Sequence, residues 1–347
     1  MSEKIQHELT SQHDLLDSYG HLTEAGYAKS LILNYNRSAI KAPGFKIKEW
    51  DYYLIACDTF AVALTIDDNS YMGLDSISLL DFTIPWEHTN SPITAFTFGK
   101  KNLPPTSESG DVKTKGKGYY INFINNGSER ILEFHMDNFC DKKPIDGKIT
   151  LECPADDCMV IATPFAEKKT AFYYNQKINC MPATGSVSFG DKTYEFPEGR
   201  SFGTLDWGRG VWTYDNVWYW GSASGLVEGV PFGFNIGYGF GDTSAASENM
   251  LFYGGKAHKL SQVTFNIPMK ADKEDYMSPW TFTSDDGRFE MDFIPIIDRA
   301  ACTDVKVICS DQHQVFGRFT GKAVLDGDKE IYIKDFLGFA EKVHNKW

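Results

Sequence analysis

The sequence predicts an all-β protein, made of two antiparallel β-barrel or half-barrel domains with a short helical segment at the N-terminus. Three observations predict it. Aromatic residues fill 14% of the 347 positions, 25 of them Phe and 17 Tyr, an excess that favours the pleated, half-buried surface of strands. Short apolar runs recur at roughly eight- to twelve-residue spacing, separated by glycine-containing turn pairs. The chain exceeds the usual size of one core, and each half is close to the length of one small up-and-down barrel.

Residues 1–40 read as an adaptor. Leu15, Leu16, Leu22, Tyr27, Leu31 and Leu33 recur at loosely helical spacing, and Thr23 is placed to cap a short helix. Residues 41–180 form the first β domain. FKIKEWDYYLIACDTFAVALTI reads as two strands about a turn at Cys57-Asp58-Thr59, and SYMGLDSISLLDFTI as a third. KNLPPTSESGDVKTKGKG, polar and holding Pro104-Pro105, reads as a long exposed loop. Asn126-Gly127 is a tight-turn pair ahead of ILEFHMDNF, whose alternation gives a strand half facing water. Residues 181–347 form the second domain, the boundary falling in a zone of residues 165–200. Hairpin tips are expected at Gly190-Asp191, Glu228-Gly229, Asp286-Gly287 and Asp326-Gly327.

The net charge of -13, with no basic run longer than Lys168-Lys169, argues against binding nucleic acid or anionic lipid through clustered cations. No stretch is apolar for long enough to span a bilayer, and the N-terminus lacks the apolar core of an export signal. The expectation is a cytoplasmic protein without integral membrane association, monomeric by default because closed barrels leave no free edges. Seven cysteines, an odd number, suit free thiols. Neither Cys153/Cys158 nor Cys302/Cys309 has zinc spacing, so neither metal nor cofactor is expected.

Chemistry concentrates in Ser201–Asn249, which holds Trp207, Trp212, Trp218 and Trp220, four of the eight tryptophans. With a strand period of two, Trp218, Trp220, Ser222 and Ser224 share a face. In the returning strand, Val230, Phe232, Phe234, Ile236, Tyr238 and Phe240 line one face, while the other is a glycine stripe with Asn235 as its hydrogen-bonding side chain. Such a stripe is approached closely, either by a neighbouring strand or by a ligand. Asp206 and Arg209 flank Trp207. Either they form a structural ion pair, or the indoles desolvate Asp206 and make it a proton donor. The polar run after the glycine strand carries Asp242, Glu248 and Asn249, fitting a loop at a barrel mouth.

Two patches elsewhere add candidates. YYNQKINC puts Asn175, Lys177 and Asn179 on one strand face, as a binding row or as edge decoration. SDQHQVFGRF carries Asp311 and His313, and FAEKVHNKW carries Glu341 and His344. The catalytic candidates are Asp206, Arg209 and Glu248. The ligand-binding candidates are Trp207, Trp212, Trp218, Trp220, Asn235, Tyr238, Asp242, Asn249, Asn175, Lys177, Asn179 and His313. There is no Gly-x-Ser-x-Gly elbow, His-Glu-x-x-His or dinucleotide fingerprint.

The strings NYNRSAIKAPGFKIKEWDYY, YYNQKINCMPATG, SFGTLDWGRGVW, WYWGSASG, GFNIGYGFGDTSAASEN, FTSDDGR, SDQHQVFGRF and GFAEKVHNKW resemble, over nearly the whole chain, a bacterial family catalogued as domain of unknown function 2804. More distantly, SFGTLDWGRGVW, WYW and the glycine hairpin are similar to the carotenoid hydratase and tocopherol cyclase group. That resemblance implies two lipocalin-like, calycin-type halves and apolar isoprenoid or polyketide-like substrates that are protonated or cyclised. By it, Asp206 stands at the acidic position and Trp218 and Trp220 at the aromatic pair, while Trp207 stands where the motif has a histidine.

The expected function is binding of an apolar, isoprenoid- or lipid-like small molecule at the junction of the two domains, with cofactor-independent hydration, cyclisation or isomerisation by acid. A lipid carrier without catalysis is the alternative. So is a carbohydrate-active protein working through paired carboxylates such as Asp206 and Glu248.

Overall fold

The computed structural model describes residues 6–304 and 309–346. Among them the chain is almost entirely strand, arranged in a 14-stranded and a 9-stranded sheet beside two two-stranded ribbons. Seven strands supply most of the side chains where the two large sheets meet: β1 (Ile47–Ala56), β2 (Phe172–Phe189), β3 (Phe202–Val211), β4 (Asp215–Val227), β5 (Val230–Tyr238), β6 (Cys309–Val324) and β7 (Glu330–Lys346).

The larger sheet runs outward from β1, β3 and β2 at its centre. It curls until its far strands meet: His88 Nε2 lies 2.8 Å from the Phe139 carbonyl, and Asn90 donates to the Asn138 and Phe139 carbonyls. The smaller sheet has β5, β4, β7 and β6 as its central run. Each sheet wraps its own apolar core. A third cluster joins their outer faces, with Tyr52, Leu54, Ala63 and Leu80 from one side and Trp220, Phe316 and Phe339 from the other.

The turns form where glycine pairs allow a left-handed backbone. Gly190, Gly229, Gly287 and Gly327 all have positive φ and sit at the tips of antiparallel hairpins. Strand β2 is long enough to serve two neighbours. A bulge between Ile178 and Met181, with Cys180 at φ 60°, shifts its register and bends it from one part of the sheet into the next. Because β2 and β3 belong to the first sheet, the chain changes sheets between Val211 and Asp215. That is later than the division after residue 180.

Two local expectations are corrected. Residues 6–40 form no α-helix: helical geometry near this segment is confined to 3-10 turns at Arg37–Ala39 and Gly44–Lys46. Leu15, Leu16 and Leu33 are buried against the first core, Gly26–Ala28 pairs with Met159–Pro164, and the Thr23 hydroxyl donates to the Asp14 and Leu15 carbonyls instead of capping a helix. Burial over the end of a sheet outweighs weak helical spacing. The segment from Lys100 is likewise not a plain exposed loop. Leu103 and Ser107 are buried, and Val112–Gly116 adds a strand. No helix among the described residues is long and apolar enough to cross a membrane.

Candidate functional site

Alternation along β1, β2 and β3 separates two polar systems. Residues pointing into the first sheet's core form one of them. Both terminal nitrogens of Arg209 lie 3.0 Å from Asp51 Oδ1, and they also donate to the Trp50, Gly208 and Pro104 carbonyls at 2.8 Å. The guanidinium stacks 4.3 Å from the Trp207 ring. Burial raises the Asp51 carboxyl, with Arg209 acting against it. Arg130 sits nearby, donating to the Tyr53 hydroxyl at 3.1 Å and the Ser107 carbonyl at 2.8 Å.

Residues on the opposite faces meet the second sheet. Asn175, Lys177 and Asn179 of β2 all lie here. The Lys177 ammonium is 2.8 Å from Asp206 Oδ1 and 3.8 Å from the centre of the Trp220 ring. The Asn175 amide donates to the same carboxylate oxygen at 2.6 Å and to the Trp207 carbonyl at 2.8 Å. Asn179 donates to Ser222 Oγ and to the Phe234 carbonyl, tying β2 to the second sheet. Trp220 Nε1 donates to Asn235 Oδ1 at 2.7 Å, and Asn235 donates onward to the Glu248 carbonyl at 2.8 Å. The glycine stripe of β5 is covered: a Cβ on Gly233 would lie 2.7 Å from Cys180 Sγ, and one on Gly237 would lie 3.0 Å from the Glu248 carboxyl.

Glu341 of β7 completes the cluster. Its oxygens accept from Trp218 Nε1 at 3.1 Å, Gln312 at 3.2 Å and Gln314 at 3.0 Å. All three donors are neutral, and burial pushes the carboxyl up to about 7. Burial also raises Glu248, with Asp206 adding like charge while Lys177 works the other way. Tyr173, whose ring stacks on Trp50 at 6.1 Å and meets Phe240 edge-on at 4.9 Å, is pushed well above its ordinary value by burial, with Glu248, Asp206 and Glu341 adding to the shift. At the edge of the cluster lie partly exposed Trp50, Trp212 and Trp218 with Phe240. Their ring centres are 5.2 Å apart for Trp50 and Trp212, 6.0 Å for Trp212 and Trp218, and 5.3 Å for Trp218 and Phe240.

The two alternatives for Asp206 are thus replaced by a third. It pairs with Lys177, and Arg209 pairs with Asp51, because residues three apart on a strand point to opposite faces. The junction gathers Asp206, Glu248, Trp218, Trp220, Asn235, Asn175, Lys177 and Asn179, with Trp212 at its edge. Arg209 and Trp207 belong to the first core. Tyr238 stacks on Tyr219 at 4.4 Å in the second core, and Asn249 is buried behind the glycine strand, accepting from the Gly237 amide. Asp242 caps a turn through Ser244.

His313 is elsewhere, on the second sheet. Its Nδ1 is 2.6 Å from Asp298 Oδ2 and its ring stacks on Tyr276 at 3.8 Å. It borders an open cleft of about 490 Å³ that Asp272, Glu274 and Asp311 also line. The sequence marked Glu341 only as part of a terminal patch with His344, and it marked Tyr173 not at all. The available signal was a carboxylate in the otherwise apolar row Leu337, Phe339, Glu341, Val343. Between the sheets there is a void of about 20 Å³, bordered by Leu54, Thr204, Ser222, Ser224 and Phe316 among others, but by neither Asp206 nor Trp220. It has room for about one water.

A family profile described as a domain of unknown function (DUF2804) matches residues 6–347. No curated protein gives a significant sequence match. Among solved structures, the chain is similar to CghA (11% identity, TM-score 0.53, covering 87% of this chain and 89% of that one). It is also similar to a protein assigned as AttH from Nitrosomonas europaea (12%, 0.52, 89% and 96%). A third is kievitone hydratase from Nectria haematococca (10%, 0.51, 96% and 98%). At such identities the likeness is one of fold alone.

Proposed function

The chain belongs to the DUF2804 family, and from that premise we propose that it takes up an apolar, isoprenoid- or lipid-like molecule at the junction of its two sheets and hydrates, cyclises or isomerises it by acid. The observation that carries this reading is Glu341: a buried carboxyl held by three neutral donors and edged by tryptophan rings. A carboxyl kept neutral near physiological pH is a proton donor, and indole faces attract a developing cation, each by about 0.5–2 kcal/mol. Kievitone hydratase, one of the solved proteins of this fold, is named for such a reaction.

In the proposed step the pair of electrons of a carbon–carbon double bond takes the Glu341 proton, forming a C–H bond and leaving the neighbouring carbon cationic. Water, or a second double bond of the same molecule, adds to that carbon. A proton then returns to the carboxylate. Asp206, gripped by Lys177 and Asn175, orients the lysine against Trp220 and is a positioning residue. The water-sized void between the sheets is bordered by neither Glu341 nor the edge rings, so a substrate reaches Glu341 by moving the rings of Trp50, Trp212 and Trp218 and opening space that the closed structure does not hold.

The test is solvent extraction of the purified chain followed by mass spectrometry, before and after incubation in deuterated water. A retained apolar compound that gains deuterium with the wild-type chain and not with Glu341→Gln supports the reading. A compound that is retained without exchange makes the protein a carrier. A clean extract overturns binding.

A further inference from the structure

A second feature lies outside the junction, in the segment Ile93–Gly99. Ile93 is 63% exposed, Phe96 65% and Phe98 49%, and the two phenyl rings lie parallel at 6.2 Å with 11° between their planes. Both phenylalanines have left-handed backbones, φ 58° and 48°, which bulky residues adopt only under strain. The framework holds them there. The Phe96 amide donates to the Tyr71 carbonyl at 2.9 Å and the Phe98 amide to the Ser70 carbonyl at 3.0 Å. Thr97 between them is buried, its hydroxyl donating to Asp68 at 2.7 Å. The hydrophilic residue of the trio points in, and both rings point out.

Phe45 is exposed too, at 51%. Ser70, which accepts from the Phe98 amide through its carbonyl, donates its hydroxyl to the Ile47 carbonyl at 2.8 Å, so the Phe45–Ile47 turn lies beside the loop. Lys46 adjoins Phe45, and exposed Lys100 follows Gly99. The acids nearby are turned inward. Glu49 is bound by Tyr35 and Arg37, Asp68 by Thr97 and the Ser70 amide, and Asp75 by Lys101, Thr114 and Tyr119. On a chain of net charge -13 this face thus sets exposed Lys100 and half-buried Lys46 next in sequence to exposed rings. Aromatic side chains seat themselves at the level of lipid headgroups, and adjacent lysines favour anionic lipid.

We propose that Phe45, Phe96 and Phe98, flanked by Lys46 and Lys100, form a surface that docks the protein reversibly on an anionic lipid bilayer.

The full chain is sedimented with vesicles of phosphatidylcholine alone and of phosphatidylcholine mixed with phosphatidylglycerol. It should pellet with the mixed vesicles, less so as salt is added. The double variant Phe96→Gly, Phe98→Gly removes both rings while relaxing the left-handed backbone. It should keep the melting temperature and lose about tenfold or more of the partitioning, and Lys100→Glu should weaken binding to the mixed vesicles alone. Absence of binding to either vesicle, or binding unchanged in the glycine variant, overturns the proposal. So does vesicle-free self-association that the glycine variant abolishes, since the occupant is then a second copy. The glycine variant leaves every junction residue in place, so partitioning lost in it reports the surface, and partitioning lost in Glu341→Gln instead would report the junction.

Discussion

Asp206 and Arg209, three residues apart on one strand, face away from each other: Asp206 meets Lys177 at 2.8 Å between the sheets, and Arg209 meets Asp51 at 3.0 Å inside the first. Each has a buried partner of opposite charge, and the two pairs perform separate work.

The Lys177–Asp206 pair is expected to behave as one unit. Lys177→Met or Asp206→Asn alone leaves a buried group without its partner and should cost about 3–5 kcal/mol. The double variant should cost well under the sum of the two. Denaturant midpoints of the four proteins, followed by tryptophan fluorescence, measure the coupling.

Arg209 ties down the segment after Lys100 as well as Asp51, through its bond to the Pro104 carbonyl. Arg209→Lys cannot reproduce the forked geometry. It should raise the rate of limited proteolysis between Pro104 and Gly110 severalfold while leaving the Lys177–Trp220 contact in place. Unchanged cleavage would show that Arg130 and Gln176, which also hold Ser107, suffice.

Glu341 makes stability depend on pH. Its carboxyl ionises near the ordinary 4.5 when unfolded and is pushed up to about 7 by burial when folded. Below 4.5 both forms are protonated and the contribution is fully present. As pH rises toward 7 the unfolded chain loses its proton first, and stability falls by about 3 kcal/mol, at about 1.4 kcal/mol per unit. Glu341→Gln should remove that part of the slope. The difference between wild-type and variant stability, measured from mildly acidic to mildly alkaline pH, should therefore shift against the wild type as pH rises.

The glycines of the junction are expected to differ in their response to a methyl group. On Gly208 it would lie 1.9 Å from the Trp50 ring, a side chain at the molecular edge that can swing away, so Gly208→Ala should shift tryptophan emission to the red with modest loss of stability. On Gly233 it would lie 2.7 Å from both the Ala223 carbonyl and Cys180 Sγ, and Gly233→Ala should cost about 1–3 kcal/mol.

The strands about Cys57–Thr59 and the hairpins at Asn126-Gly127, Gly190-Asp191, Glu228-Gly229, Asp286-Gly287 and Asp326-Gly327 were legible because turn chemistry and period-two alternation are local properties of the chain. So were the two faces of β4 and β5, and the presence of a glycine stripe that something must cover. The N-terminal segment was misread because its leucines are spaced for a surface made by distant strands, not for a helix of their own.

By itself, then, the sequence determined an all-β chain with its turns, its strand faces and a concentration of indoles and carboxylates. Tertiary structure alone decided which carboxylate meets which cation. Asp51 and Arg209 are 158 residues apart and Trp218 and Glu341 are 123 apart, and their meeting depends on the register of long-range strand pairs and on the stacking of one sheet on another. A buried charge takes its character from the groups facing it across such an interface. For that reason Asp206 proved to be held by Lys177, and the carboxyl left among neutral donors proved to be Glu341.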